Sequence, residues 1–430
     1  MQRLPANSRD PLGWSLVLSL GFLLLLLVRL DIPATLYFDE VHYVPAARSF
    51  LYESRLVNPE HPLLGKLILA GSIEWLGDNP WGWRLPSVLA GAVTLFAGMR
   101  AMWFASLRPF ATLAYGGLLA SGFMLFVQAR IAMLDAFMLA FFAVALWQAA
   151  AACREPETGR WRLALCGVML GLALGTKWNV APLLPLFGLA FLAWRWMAGR
   201  RRLLTSKRGL PVPGVSLLEA ALWLGVVPLL VYAATFLPAY DLQHNPITQN
   251  LLAHQWRMLA LQESVKTAHP YMSTWEQWVL NTRVIWYLFE PTAGAHRGVV
   301  MLGNPFTMLA GLPALLWCAW AAWRHRDRAA LGVAVLYGVS FGFWIVAAKP
   351  IQFFYHYLLP HLFLLAALAL ALDALWRRGV ESGRGGWRMA AVLPIAVSVG
   401  LFAWFFPILS AGPLPDAQYY SKWMWLDTWR

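Results

Sequence analysis

Residues 12–40 read LGWSLVLSLGFLLLLLVRLDIPATLYFDE. Up to Leu30 the stretch carries one charge, Arg29, and an α-helix needs about 20 mostly apolar residues to cross hydrocarbon. The spacing therefore predicts a membrane span over 12–30, with two adjacent carboxylates, Asp39 and Glu40, just beyond its end. A basic stretch precedes this run, as in a signal peptide. No small-x-small cleavage pattern follows before Asp39, so the run is expected to stay as an anchor.

Outward from this stretch, further apolar runs lie at 85–104, 110–129, 132–152, 161–176, 179–197, 216–236, 299–323, 329–348, 353–375 and 389–409. Eleven spans put the two termini on opposite sides. The run 62–76 is too short to cross and reads as an interfacial helix. Composition agrees: 60% of the 430 residues are apolar and 13% charged, with mean hydropathy +0.55. Soluble globular chains carry about 25% charged residues, so that class is excluded, and so is disorder. Three cysteines (Cys153, Cys166 and Cys318) show no paired spacing and encode neither a disulfide framework nor a zinc site.

The formal charge of +13 suggests at first a nucleic-acid partner. Its distribution gives a better account. Twenty of the 34 Lys and Arg fall in the short loops on one side, with seven acids; the other side holds 14 bases and 14 acids. Such a bias places the N-terminus inside and the C-terminus outside, and anionic lipid rather than nucleic acid explains it. The long segments 31–84 and 237–298 and the tail 410–430 then lie outside, where the chemistry is expected.

The polar residues that stand out sit at the outer ends of spans. Asp39 and Glu40 open a helix containing Pro45, where an N-cap and a first-turn acid are the ordinary roles. His61 and Lys66 lie at the interfacial helix and Arg84 at the start of the second span; each alone could be a snorkelling base. Arg130 and Asp135 flank a tight outer turn, where a structural ion pair is the simple reading. Lys177 occupies the next outer turn. Gly167, Gly171 and Gly175 form a small-residue stripe suited to close helix packing. His356 and His361 lie in the outer half of the tenth span, where ionisable groups are costly and point to function, although a hydrogen-bonded structural histidine is the competing reading. Nucleotide-hydrolysis, zinc-protease and serine-hydrolase motifs are absent.

Mid-span stretches are almost uniformly apolar, which argues against a transport path. Positive groups (Lys66, Arg84, Arg130, Lys177 and protonated His61) beside a carboxylate suit a lipid-linked phosphate at the outer leaflet. Cations would hold the phosphate and a carboxylate would deprotonate an attacking hydroxyl. Sugar transfer from a polyprenyl phosphate has these needs. Its leaving group is already competent, so one base suffices, direct displacement inverts the anomeric carbon, and a metal site is dispensable.

The segments FDEVHYVPAARSFL (38–51), EHPLLGKLIL (60–69), WRLPSVLAG (83–91), ARIAMLDAF (129–137), GTKWN (175–179), LGNP (302–305) and FFYHYLLP (353–360) resemble, in order, the dolichyl-phosphate-mannose–protein mannosyltransferase family. The resemblance implies an all-α polytopic membrane protein of the GT-C glycosyltransferase fold, with about 11 transmembrane helices and amphipathic interfacial helices on the outer face. It implies a catalytic region at 1–245, then an outer loop and four-span region at 246–430. Asp39 would be the catalytic base and Glu40 its support. Lys66 and Arg130 would hold donor phosphate, with Arg84 and Lys177 as weaker candidates; His61, Asp135 and His356 complete the substrate-binding set. Neither cofactor nor metal is assigned. The implied partners are a polyprenyl-phosphate sugar donor, a secreted protein or peptide acceptor and membrane lipid, at the inner (plasma) membrane. The chain lacks the soluble β-trefoil insert of eukaryotic members, which suggests a bacterial-type enzyme, and has Leu63 where a second proline is common. The rivals are a GT-C transferase moving an aminosugar or pentose to lipid A or a glycan, and a lipid-linked sugar transporter.

Overall fold

The computed structural model describes residues 9–198, 202–264, 266–347 and 349–430. Arg3, Arg200 and Arg201 of the basic side, and the last residue of the 329–348 run, lie outside the described residues. The chain is mostly helical: α1 (Leu12–Leu27), α2 (Glu40–Glu53), α3 (Leu64–Leu76), α4 (Pro80–Ser106), α5 (Pro109–Ser121), α6 (Met124–Gln128), α7 (Leu134–Ala152), α8 (Gly159–Thr176) and α9 (Leu184–Met197). Next come α10 (Leu217–Ala221) and α11 (Val227–Ala234), joined by a π-helical turn, then α12 (Leu251–Ser264) and α13 (Trp275–Val279). A hairpin of β1 (Ile285–Thr292) and β2 (Ala295–Met301) precedes α14 (Pro305–His325), α15 (Arg328–Val346), α16 (Leu358–Glu381) and α17 (Gly385–Leu409).

Every predicted span contains helix, but eight helical segments among the described residues are long and apolar enough to cross a membrane, so the count of eleven is not confirmed. Three runs differ in ways that have local causes. α1 ends at Leu27, because Arg29 turns back with φ +57° and its guanidinium binds Ser410. The run 110–129 breaks at Gly122–Phe123, and the Asn304 amide donates to the freed Ser121 carbonyl at 2.9 Å. Such breaks are tolerated in lipid where a neighbour satisfies the backbone. The run 299–323 starts as strand: Val299 and Val300 pair with β1, and helix begins only at Pro305, capped by Asn304.

The hairpin was not anticipated. Its sequence IWYLFEPT is rich in β-formers, and Ala293 and Gly294 both take positive φ, as a two-residue hairpin turn requires. Register slips between Trp286 and Leu288, so Tyr287 is the extra residue of a bulge. Bulges redirect side chains. At the centre, α16 is buried almost along its whole length, packed by α5, α14, α15 and α17. On the other half α7 lies between α4 and α8. The glycine stripe does what its spacing predicts: a Cβ on Gly167 would meet the Trp223 carbonyl oxygen at 1.9 Å, so α8 lies directly on the backbone of the π turn.

Candidate active site

Asp39 occupies the N-cap of α2, yet its side chain makes no capping hydrogen bond. Glu40, one residue on, is fully buried and fully engaged: it binds Arg84 through both oxygens, at 2.8 and 2.9 Å, and accepts the Ala132 N–H. The two adjacent acids therefore divide. Glu40 holds structure, and Asp39, only partly buried, has a carboxylate with no hydrogen bond or ion pair among the described residues.

The cations divide too. All five Arg84 N–H groups are used, on Glu40 and on the carbonyls of Leu30, Pro33 and Thr35. Arg84 thus shapes the loop that delivers Asp39 and has no N–H left for a phosphate. Arg130 donates to the carbonyls of Leu26 and Arg29, closing the C-terminus of α1, where orphan carbonyls need partners. Lys66 donates to the carbonyls of Asn58 and, at 2.9 Å, His61. None of Lys66, Arg84 and Arg130 pairs with Asp39: Lys66 and Arg130 turn to backbone carbonyls, and Arg84 to Glu40 and to carbonyls.

Two other lysines face the acid. Lys177 stands at the extended break after α8 and pairs with Asp135, in the first turn of α7, at 2.6 Å. The Arg130–Asp135 pair expected from sequence is thus replaced by Lys177–Asp135. Lys177 also lies 5.0 Å from the centre of the Tyr355 ring. Lys349, in the loop after α15, is the residue that the sequence reading missed. Burial lifts the Asp39 carboxyl above its usual range; Lys177, His42 and Lys349 pull it down and Asp135 pushes it further up. Burial, helped by Lys177, brings Lys349 down to about 8. Its only sequence signal was a lone Lys between two apolar runs.

Rings close the cluster. His61 lies edge-on to Tyr43 at 5.8 Å, and burial next to Lys177, Lys66 and Lys349 holds it neutral. The bulged Tyr287 stacks on Phe38 at 3.9 Å and donates to Gln128 at 2.8 Å. Gln128 in turn donates to Asp135 at 3.3 Å. His356 accepts the Phe353 N–H through Nδ1 at 2.9 Å and packs on Trp344, so it shapes the turn that presents Tyr355. His361 is buried with neither ring nitrogen partnered.

The site is thus a half-buried carboxylate under the influence of Lys177 and Lys349, within a bundle of membrane-length apolar helices. Residues 74–244 match the family model for dolichyl-phosphate-mannose-protein mannosyltransferase, and 247–429 match that for the C-terminal four-transmembrane region of protein-O-mannosyltransferase. The chain belongs to this family. Among curated proteins, the polyprenol-phosphate-mannose–protein mannosyltransferases of Mycobacterium tuberculosis (strain H37Rv) and Corynebacterium glutamicum are each 27% identical. The matches cover 91% of this chain and 86% and 88% of theirs. Among solved structures, the S. cerevisiae protein O-mannosyltransferase Pmt1–Pmt2 complex bound to the sugar donor shares the fold at TM-score 0.80. Identity there is 14%, covering 97% of this chain and 93% of that one. ArnT from Cupriavidus metallidurans bound to undecaprenyl phosphate gives TM-score 0.59 at 18% identity, covering 93% and 77%.

Proposed function

We propose that the chain transfers mannose from polyprenyl-phosphate mannose to Ser or Thr hydroxyls of secreted proteins, with inversion. The observation that carries the mechanism is the uncommitted Asp39 carboxylate beside Lys177 and Lys349. In this reading Asp39 takes the proton of the acceptor hydroxyl as its oxygen attacks the anomeric carbon. The bond from that carbon to the phosphate oxygen breaks, and the polyprenyl phosphate leaves with the electron pair. A carboxyl raised by burial is a better base than an ordinary one. Lys177 and Lys349 would hold the charge growing on the leaving phosphate, where water is scarce and cations act strongly. Tyr287, Tyr355 and His61 would line the sugar's seat.

The curated relatives' names favour mannose and a protein acceptor over the aminosugar or pentose transfer of the rival reading. The basic bias of the loops favours an inner (plasma) membrane setting, with the N-terminus inside and the acid–lysine cluster outside. We further propose a catalytic region at 1–245 and a second region at 246–430 that lends Tyr287, Lys349 and Tyr355.

Purified protein in lipid, supplied with polyprenyl-phosphate mannose and a Ser/Thr peptide, should yield mannosyl peptide. Labelling of lipid A from an aminosugar donor, with no mannosyl peptide, would reverse the assignment.

A further inference from the structure

A large cavity lies away from Asp39. A cleft of about 1160 Å³ opens at the opposite, basic face, between α4, α7 and α9 on one side and α14, α15 and α16 on the other. It exceeds the roughly 300–1,000 Å³ of small-ligand sites. Its depth is apolar, with Phe142, Phe187, Trp194, Trp317 and Phe363 on the walls. Its rim is cationic: Arg108, Arg154, Arg326, Arg328 and Arg377 line it against one lining acid, Asp327.

Arg377 pairs with Asp373 at 2.8 Å, but three of the five rim arginines meet no acid among the described residues. Arg326 and Arg328 are exposed and form no ion pair among the described residues; Arg328 only overlies Trp194 at 5.7 Å. Arg154 donates to the Phe104 and Ala105 carbonyls and meets no acid. Arg108 binds Asp327 at 2.6 Å and lies 3.7 Å from Asp373, yet its Nη1 is buried with no hydrogen-bond partner. A buried unsatisfied N–H of a charged group is costly and calls for an acceptor oxygen. On α15, a Cβ at Gly332 would meet nothing within 4 Å, so the gap runs past the helix surface itself.

We propose that this cleft binds one anionic glycerophospholipid of the basic-side leaflet, with its acyl chains between the two helical halves and its phosphate at the arginine rim. Walls built from aromatic side chains select hydrocarbon over a soluble anion. The surplus of arginines selects an anionic head over a zwitterionic one. Bound there, the lipid fills the gap between halves that meet again at the other face.

Native mass spectrometry of the full chain tests this with dioleoyl phosphatidylglycerol, dioleoyl phosphatidylcholine and polyprenyl phosphate as competing probes. Wild type should retain one phosphatidylglycerol in preference to phosphatidylcholine. R326Q/R328Q should weaken that retention about fivefold for each charge removed. Gly332→Phe should block it by filling the cleft, and Lys266→Gln, in the outer loop, should leave it unchanged. Equal retention by wild type and both rim and cleft variants would overturn the proposal, as would stronger retention of polyprenyl phosphate. If the double variant fails to fold, Gly332→Phe decides alone, since its new side chain enters open space.

Discussion

Lys177 and Asp135, 42 residues apart in sequence, meet at 2.6 Å with side chains 6% and 1% exposed. Each is the other's compensation for leaving water. Removing one partner of such a pair costs about 3–5 kcal/mol, whereas removing both costs far less. Lys177→Met should therefore lower thermal stability sharply, and K177M/D135L should recover most of it while remaining inactive. Unfolding curves in detergent, together with transfer assays, measure both.

Asp39→Asn changes a group that caps nothing and binds no side chain. It should leave the melting temperature and donor affinity near wild type and reduce turnover by about 10²–10⁴-fold. A melting temperature lowered together with donor binding would instead make Asp39 structural.

The transfer rate should fall on the acid side. Burial raises the Asp39 pKa, and a base must be unprotonated, so activity is lost as pH drops through a value above the ordinary carboxylate figure of about 3.9. A pH profile of kcat/KM flat down to pH 4 would contradict the assignment.

Lys66 gives a separate pH signature in stability. Burial brings it from 10.5 to about 7, while the unfolded chain keeps its proton to about 10.5. Between these values the unfolded state binds more protons, so stability rises with pH, by up to about 1.4 kcal/mol per unit. Lys66→Met should flatten unfolding free energy across pH 7–10.5. A neutral amine still has two N–H groups for the Asn58 and His61 carbonyls, so the loop survives deprotonation.

Gly167→Ala should be disproportionately harmful for a one-methyl change. The new Cβ would sit 1.9 Å from the Trp223 carbonyl oxygen, and α8 must move away from the π turn. Overpacking of this kind costs about 1–3 kcal/mol, read as a lowered melting temperature. Gly188→Ala, with open space around the new Cβ, is the matched control.

Much of this was legible in the sequence because lipid imposes strong rules. Apolar runs of fixed length mark helices whatever their neighbours, and the glycines at i, i+4 and i+8 predict one close face. Asp39 was legible as a candidate because it follows a span at once. The cations were less so. Arg84, Arg130 and Lys66 carry the same charge as Lys177, and sequence shows the charge but not the carbonyls each one turns to. Which arginine closes a loop and which lysine meets an acid is a long-range choice, as between Arg84 and the carbonyls of residues 30–35. Lys349 and Tyr287 were missed because one is a lone base between spans and the other needs a strand bulge to turn it inward.

That bulge ties together stretches that two separate family models describe. Tyr287 reaches across to Gln128, so a hybrid joined near residue 245 from two relatives would inherit a donor from one parent and an acceptor from the other. Half-swaps between relatives should thus succeed only where this tyrosine–glutamine handshake is inherited whole, and mismatched hybrids should insert in the membrane yet stay idle.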